Sequence, residues 1–118
     1  MHYVYYFDHH TAQSPQGAGH GSEVPYVFGF TAPFFGLSNP EDQAFSEKMQ
    51  SYWVNFARTG DPNGPGLPHW PGFHDSDPQV LKFDTGMSAQ SLPNLPQLKA
   101  IDDYFAWRRS TEPPAAGK

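Results

Sequence analysis

"HYVYYFDHH", residues 2–10, decides the fold class. From Tyr3 to Phe7 the residues are β-branched or aromatic, with no polar residue alternating between them. A half-buried strand alternates apolar and polar positions; an unbroken run of this kind suits a strand covered on both faces, as inside a parallel sheet. An edge strand or an aromatic tail stays open as the alternative reading of the same run. No comparable strand follows nearby. The expectation is therefore a strand whose sheet lies largely elsewhere.

Outward from that run the clearest element is "EDQAFSEKMQSYWVNFARTGDPNG", residues 41–64. Phe45, Met49, Tyr52, Trp53 and Phe56 fall on one stripe of a 3.6-residue helix. Asn39 can cap it, Pro40 suits the first helical position, and Glu41 and Asp42 match the positive end of the helix dipole. Arg58 falls in the last turn, Gly60 can adopt the left-handed cap, and Pro62 forbids continuation. Between strand and helix lie a polar, glycine-containing loop over 11–22, a short apolar segment "EVPYVFGF" that fits a helical turn or a strand, and turn signals at Pro33, Gly36 and Asn39-Pro40. Beyond the helix, 61–78 reads as an extended surface loop, "QVLKFDTG" as a short strand, and "PQLKAIDDYFAWRR" as a final helix with Leu98, Ile101 and Phe105 on one face. Residues 111–118 read as a disordered tail, leaving 1–110 as one unit.

Composition narrows the function classes. In 118 residues there is room for one small domain, with a core built from few large rings: 16% of residues are aromatic and 37% hydrophobic in all. Eleven glycines and thirteen prolines indicate a loop-rich chain, below the proportion that marks low-complexity disorder. A net charge of −5, with no basic cluster beyond Arg108-Arg109, argues against a nucleic-acid partner. With no cysteine there is no disulfide, thiol nucleophile or thiolate-held metal. No apolar stretch approaches the length of a membrane span, and the chain opens directly in its strand-like run rather than in a charged and then apolar leader. The chain reads as soluble, with cytoplasm and a disulfide-free secreted form both open.

"GAGHGSEVPYVFGF", residues 17–30, carries the candidate chemistry. Glycines around His20 permit left-handed backbone angles and leave room for a reacting group beside the ring. An imidazole with an ordinary pKa near ~6.5 can accept and return a proton at neutral pH. By itself this fits a loop histidine as well as a base. "GAGHGSEVPYVFG" at 17–29 and "YWVNFARTGDPN" at 52–63, together with the preceding strand and the Trp70-Pro71 pair, resemble the type-B carboxylesterases, the cholinesterase-like branch of the α/β-hydrolases. The match covers nearly all of the chain except its tail, and corresponds to the last fifth or so of an ordinary family member.

That resemblance implies a C-terminal segment of an α/β-hydrolase fold. It puts His20 at the position of the general base in a Ser–Glu–His triad. It puts Glu23 in the motif as a carboxylate supporting the site, not as the triad's own acid, which the family carries far upstream. Trp53, Phe56 and Asp61 become scaffold, and no cofactor or metal is implied. The substrate implied for the full-length context is a carboxylic ester.

Departures from the family pattern limit what the chain can do alone. The nucleophile of this fold sits in G-x-S-x-G, and no such pentapeptide occurs. "GMSAQ" at 86–90 lacks the last glycine, and Ser22 is too close to His20 for triad geometry in a rigid turn. The expectation is a segment that supplies the base without nucleophile or oxyanion hole, and is inactive by itself. Two alternatives stay open. One is an interaction module whose aromatic faces, around Tyr5, Phe7, Phe28 and Trp53, complement a separately encoded N-terminal esterase piece. The other is a metal module drawing on His9-His10, His69, His74, Asp8, Asp75 and Asp77; it lacks helical i, i+4 spacing, and adjacent histidines rarely point at one ion.

Overall fold

The computed structural model describes residues 1–30 and 39–111. The turn signals at Pro33 and Gly36, and the expected tail apart from Thr111, lie outside them. The elements run β1 (Tyr5–Phe7), α1 (Val24–Phe28), α2 (Pro40–Thr59), β2 (Gln79–Phe83), β3 (Met87–Ser91) and α3 (Leu95–Thr111). The three strands form one mixed sheet in the order β1-β2-β3.

The opening run forms its strand, and two expectations about it are corrected. It does have a sheet to join: β1 pairs in parallel with β2, Tyr5 opposite Leu81 and Phe7 opposite Phe83. Nor is it covered on both faces, since Tyr5 and Tyr6 are about one-third exposed. Among the described residues β1 lies at the sheet edge, and β2 takes the buried place, with Val80, Leu81 and Phe83 fully enclosed. An edge strand can carry the same apolar run as an interior one, so the run by itself does not separate the two readings.

The second residue set shows why α2 ends where it does. Asn39 is extended and its side chain accepts a hydrogen bond from the Asp42 N–H at 2.7 Å, while Gly60 closes the helix in the left-handed conformation (φ 77°). Phe45, Met49 and Tyr52 are buried and Trp53 is half-buried; Phe56, at the end of the stripe, remains exposed. The core forms where this stripe meets the sheet. Phe83 lies edge-on to Tyr5, Phe45, Tyr52 and Trp70 at centroid distances of 5.7–6.2 Å, the geometry favoured by ring quadrupoles. Tyr3, Tyr5 and Phe7 turn alternate rings onto the same cluster, as strand periodicity requires.

Trp70, from the long loop after α2, completes the core. Its indole N–H donates to the Val4 carbonyl at 3.0 Å, and its N–H donates to Asn63 at 2.7 Å, so a loop segment expected at the surface is tied to β1. "QVLKFDTG" supplies β2 as expected. Residues 87–91, not foreseen as a strand, return as β3 in an antiparallel hairpin that puts Lys82 opposite Ser88. The final helix forms over Leu95–Thr111, but none of its residues is buried: Leu98, Ile101 and Phe105 are 41%, 52% and 47% exposed. No helix of the described residues is long and apolar enough to cross a membrane.

Asn39→Ala should destabilise the chain by about 1–2 kcal/mol, because it removes the cap of its longest helix. Urea unfolding followed by far-UV circular dichroism checks this.

Candidate active site

Both parallel strands end at the same side of the sheet, where the Asp8 N–H donates to the Phe83 carbonyl at 2.8 Å. In open α/β sheets, ligands bind beyond the carboxyl ends of the strands. The loop carrying His20 starts at that edge. It turns first on Thr11 and Ser14, whose N–H groups donate to each other's carbonyls at 3.3 and 3.1 Å, and then on Gly17, whose N–H donates to the Ser14 carbonyl at 3.2 Å. His20 itself stands exposed between two glycines, in turns closed by Ser22 N–H on the Gly19 carbonyl (3.3 Å) and Val24 N–H on the Gly21 carbonyl (3.2 Å).

Glu23 is half-buried at the start of α1 and its side chain caps nothing. Among the described residues, no hydrogen bond or ion pair joins His20 to Glu23 or to Ser22. Ser88 lies within the β2–β3 hairpin, not in a strand-to-helix elbow. A cavity of about 330 Å³ lies at the other end of β1, lined by Tyr3, Tyr5, Trp53, Phe56 and Trp70 among others, and neither His20 nor Glu23 borders it. That cavity belongs to the aromatic core, and the strand-end geometry is the better guide to the chemistry.

The adjacent histidines part company. His9 turns inward: its ring stacks on Phe45 at 4.3 Å and 10°, its Nδ1 meets the Asp84 carbonyl at 2.8 Å, and its Nε2 meets Asp42 Oδ1 at 3.4 Å. The Tyr26 hydroxyl of α1 donates to the same Asp42 oxygen at 3.3 Å, and Asn39 donates to the other. Burial, reinforced by Asp42, pushes the Tyr26 phenol up to about 12. Ser46 donates to the Tyr26 carbonyl at 2.6 Å, so α1 is bonded to α2 at both its side chain and its backbone. Sequence reasoning assigned Asp42 to the helix dipole and missed this role; the signal available was a carboxylate one turn before Phe45, on the stripe that faces the core.

His10 turns the other way. Its Nδ1 lies 2.9 Å from Asp84 Oδ1, and Lys82 Nζ lies 2.8 Å from Asp84 Oδ2 and 3.4 Å from Asp8 Oδ2. Asp8, His10 and Asp84 offer ligand atoms within 4.8 Å of one another, which is metal-binding spacing. The Lys82 ammonium, however, already contacts both carboxylates and supplies the positive charge an ion would bring. The donors His69, His74, Asp75 and Asp77 do not join this group. The hydrogen bond to Asp84 raises the His10 pKa against partial burial. Burial alone would raise the Asp84 carboxyl, but bonds from Lys82, His10 and the Thr85 N–H outweigh it and hold it well below the usual carboxylate range.

Comparison with known proteins gives this geometry its setting. The model of the Carboxylesterase family matches residues 1–101. Carboxylesterase 4A of Bos taurus is 43% identical over 88 residues, covering 70% of this chain and 16% of the relative. Cocaine esterase of Homo sapiens is 48% identical over 71 residues, 57% of this chain and 12% of the relative. Among solved structures, a PNB esterase superposes with a TM-score of 0.71 at 30% identity, over 82% of this chain and 20% of its own. A carboxylesterase of Geobacillus stearothermophilus gives 0.66 at 32%, over 83% and 21%. These neighbours are esterases of the α/β-hydrolase fold, and the chain spans between an eighth and a fifth of their length.

Opposite pKa shifts at one contact give a defined pH window. The Asp84 contribution is present above the ordinary carboxylate pKa of about 4 and is lost as pH falls through its lowered folded value. The His10 contribution is present below about 6.5 and is lost as pH rises through its raised value. The thermal midpoint should therefore be highest between about pH 4 and 6.5. His10→Gln should remove the decline on the alkaline side, as measured by thermal unfolding across pH.

Proposed function

The chain belongs to the carboxylesterase family, and from that premise we propose that it serves carboxylic ester hydrolysis as the C-terminal, histidine-bearing segment of a serine esterase. His20 is the general base. As a serine oxygen attacks the ester carbonyl, the imidazole takes the hydroxyl proton and then gives it to the departing alkoxide. In the second half it deprotonates water, which attacks the acyl carbonyl; the proton then returns to the serine oxygen and the acid is released. Glu23 supports the site electrostatically from the start of α1. The observation that carries this reading is the position of His20: exposed, flanked by glycines, on the loop that leaves the carboxyl end of a parallel strand, within the residues matched to the family.

Nucleophile and oxyanion donors are supplied from outside these residues, because G-x-S-x-G is absent from the sequence. Triad members act as a unit, so the chain alone does not turn over ester. A second reading, that the chain works as a module completing a separately encoded N-terminal esterase piece, is favoured by the one-sided pairing of β1 and the exposure of Tyr5, Tyr6 and Phe28. An unpaired strand edge with apolar side chains is a template for a further strand.

The purified chain should hydrolyse p-nitrophenyl acetate no faster than free imidazole. Co-expressed with the N-terminal portion of a family member, it should restore saturable turnover, and His20→Ala should lower that turnover by about a millionfold. Saturable hydrolysis by the chain alone, lost in His20→Ala, would overturn the assignment of the nucleophile to a second polypeptide segment.

A further inference from the structure

We propose that Asp84 is the positioning residue of the His20 loop, holding the start of the loop through its carboxylate and connected through its backbone carbonyl, His9 and Asp42 to the helix that follows the loop. The inference rests on the reading of His20 as the general base and adds to it what sets the base in place.

Asp84 follows directly on β2, at the edge where both parallel strands end. Its Oδ1 accepts from the His10 N–H at 3.2 Å, the His10 ring at 2.9 Å and the Thr85 N–H at 2.8 Å, and its Oδ2 accepts from Lys82 at 2.8 Å. The carboxylate thus fixes His10 at both backbone and ring, and with it the direction in which the chain leaves β1. Gly17 is then seated on this cluster. It has φ +99°, a Cβ there would collide with Asp8 Oδ1, and His10 Nε2 would lie 3.4 Å away. Only a glycine satisfies both the backbone angle and the close approach. Three residues on stands His20.

The far side of the loop leads back to the same residue. Past His20 the chain enters α1, whose Tyr26 hydroxyl donates to Asp42, which meets His9 Nε2; His9 Nδ1 lies 2.8 Å from the Asp84 carbonyl. The segment between His10 and Tyr26, which contains His20, is therefore flanked by a residue that bonds Asp84 directly and one that reaches it through Asp42 and His9. Lys82 and Asp8 complete the charge balance, so the cluster is a clamp rather than a vacant cation site.

The two arms separate in experiment, because a side-chain substitution leaves the carbonyl in place. In Asp84→Asn, amide hydrogen exchange of the full chain should quicken by about tenfold at Gly17 and Ser22, while Tyr26, Val27 and the α2 amides keep their rates. In the complemented esterase the same variant should lower kcat by about tenfold to a hundredfold with KM unchanged, as a misplaced base would. Unchanged exchange at Gly17 and Ser22 would overturn the proposal. Should Asp84→Asn raise exchange throughout α2 as well, Gly17→Ala replaces it: the same local quickening is expected there, and an undisturbed loop would overturn the seat on which the clamp depends. Retained turnover in complemented His20→Ala would instead overturn the reading of His20 as base, and the exchange result would stand apart from it.

Discussion

The parallel pairing of β1 with β2 is the contact on which the rest of the structure depends. The Val4 carbonyl accepts the Leu81 N–H at 3.1 Å and the Trp70 indole N–H at 3.0 Å, so one acceptor fixes both the strand register and the loop that caps the core. Once Tyr5 lies opposite Leu81 and Phe7 opposite Phe83, side-chain alternation divides the residues after the strand. Tyr3, Tyr5, Phe7 and His9 meet the aromatic face of α2; Asp8 and His10 meet Lys82 and Asp84 on the other side. Slipping the pairing by one residue would exchange the two sets and bury the charges.

How much of this was legible in the sequence follows from the range of each interaction. α2 could be read to its ends because capping and periodicity are local: Asn39, Pro40, Arg58 and Gly60 all act within a turn of the helix. β1 was legible as a strand but not as an edge strand, since its partner lies about 75 positions away and its own composition does not say which side is covered. β3 was missed because "MSAQS" has neither an apolar run nor a β-branched residue; it is a strand only because β2 offers it a ladder. α3 shows the converse. Its apolar positions have helical spacing, yet nothing among the described residues covers them.

The site divides along the same line. His20 and Glu23 stand out because glycines and a family-like motif surround them in the sequence. Nothing local marks Asp84, which reads as a turn residue after a short strand, or Asp42, which reads as a good first-turn helix residue. Their roles come from contacts 33 to 75 residues apart, with His9 and His10. The histidine pair itself was legible in one respect: neighbours on an extended chain point to opposite sides, so a shared metal was disfavoured on geometry alone. What the sequence could not supply was that a single aspartate would meet both.

Charge placement at the strand ends has a physical logic distinct from stability. Ion pairs as exposed as His10–Asp84 contribute a modest, pH-dependent part of the folding free energy, since water screens them and ordering long side chains is costly. Their value is directional: each bond removes one freedom of the chain leaving the sheet, and Gly17 converts that into a fixed seat for the loop. The neighbouring His9–Asp42–Tyr26 group works under the opposite condition. It is mostly enclosed, so each polar atom must keep its partner, and loss of any one leaves the others unsatisfied in an apolar setting. The chain before the loop is thus fixed by a partly solvated charge cluster, and the helix after it by an enclosed polar group.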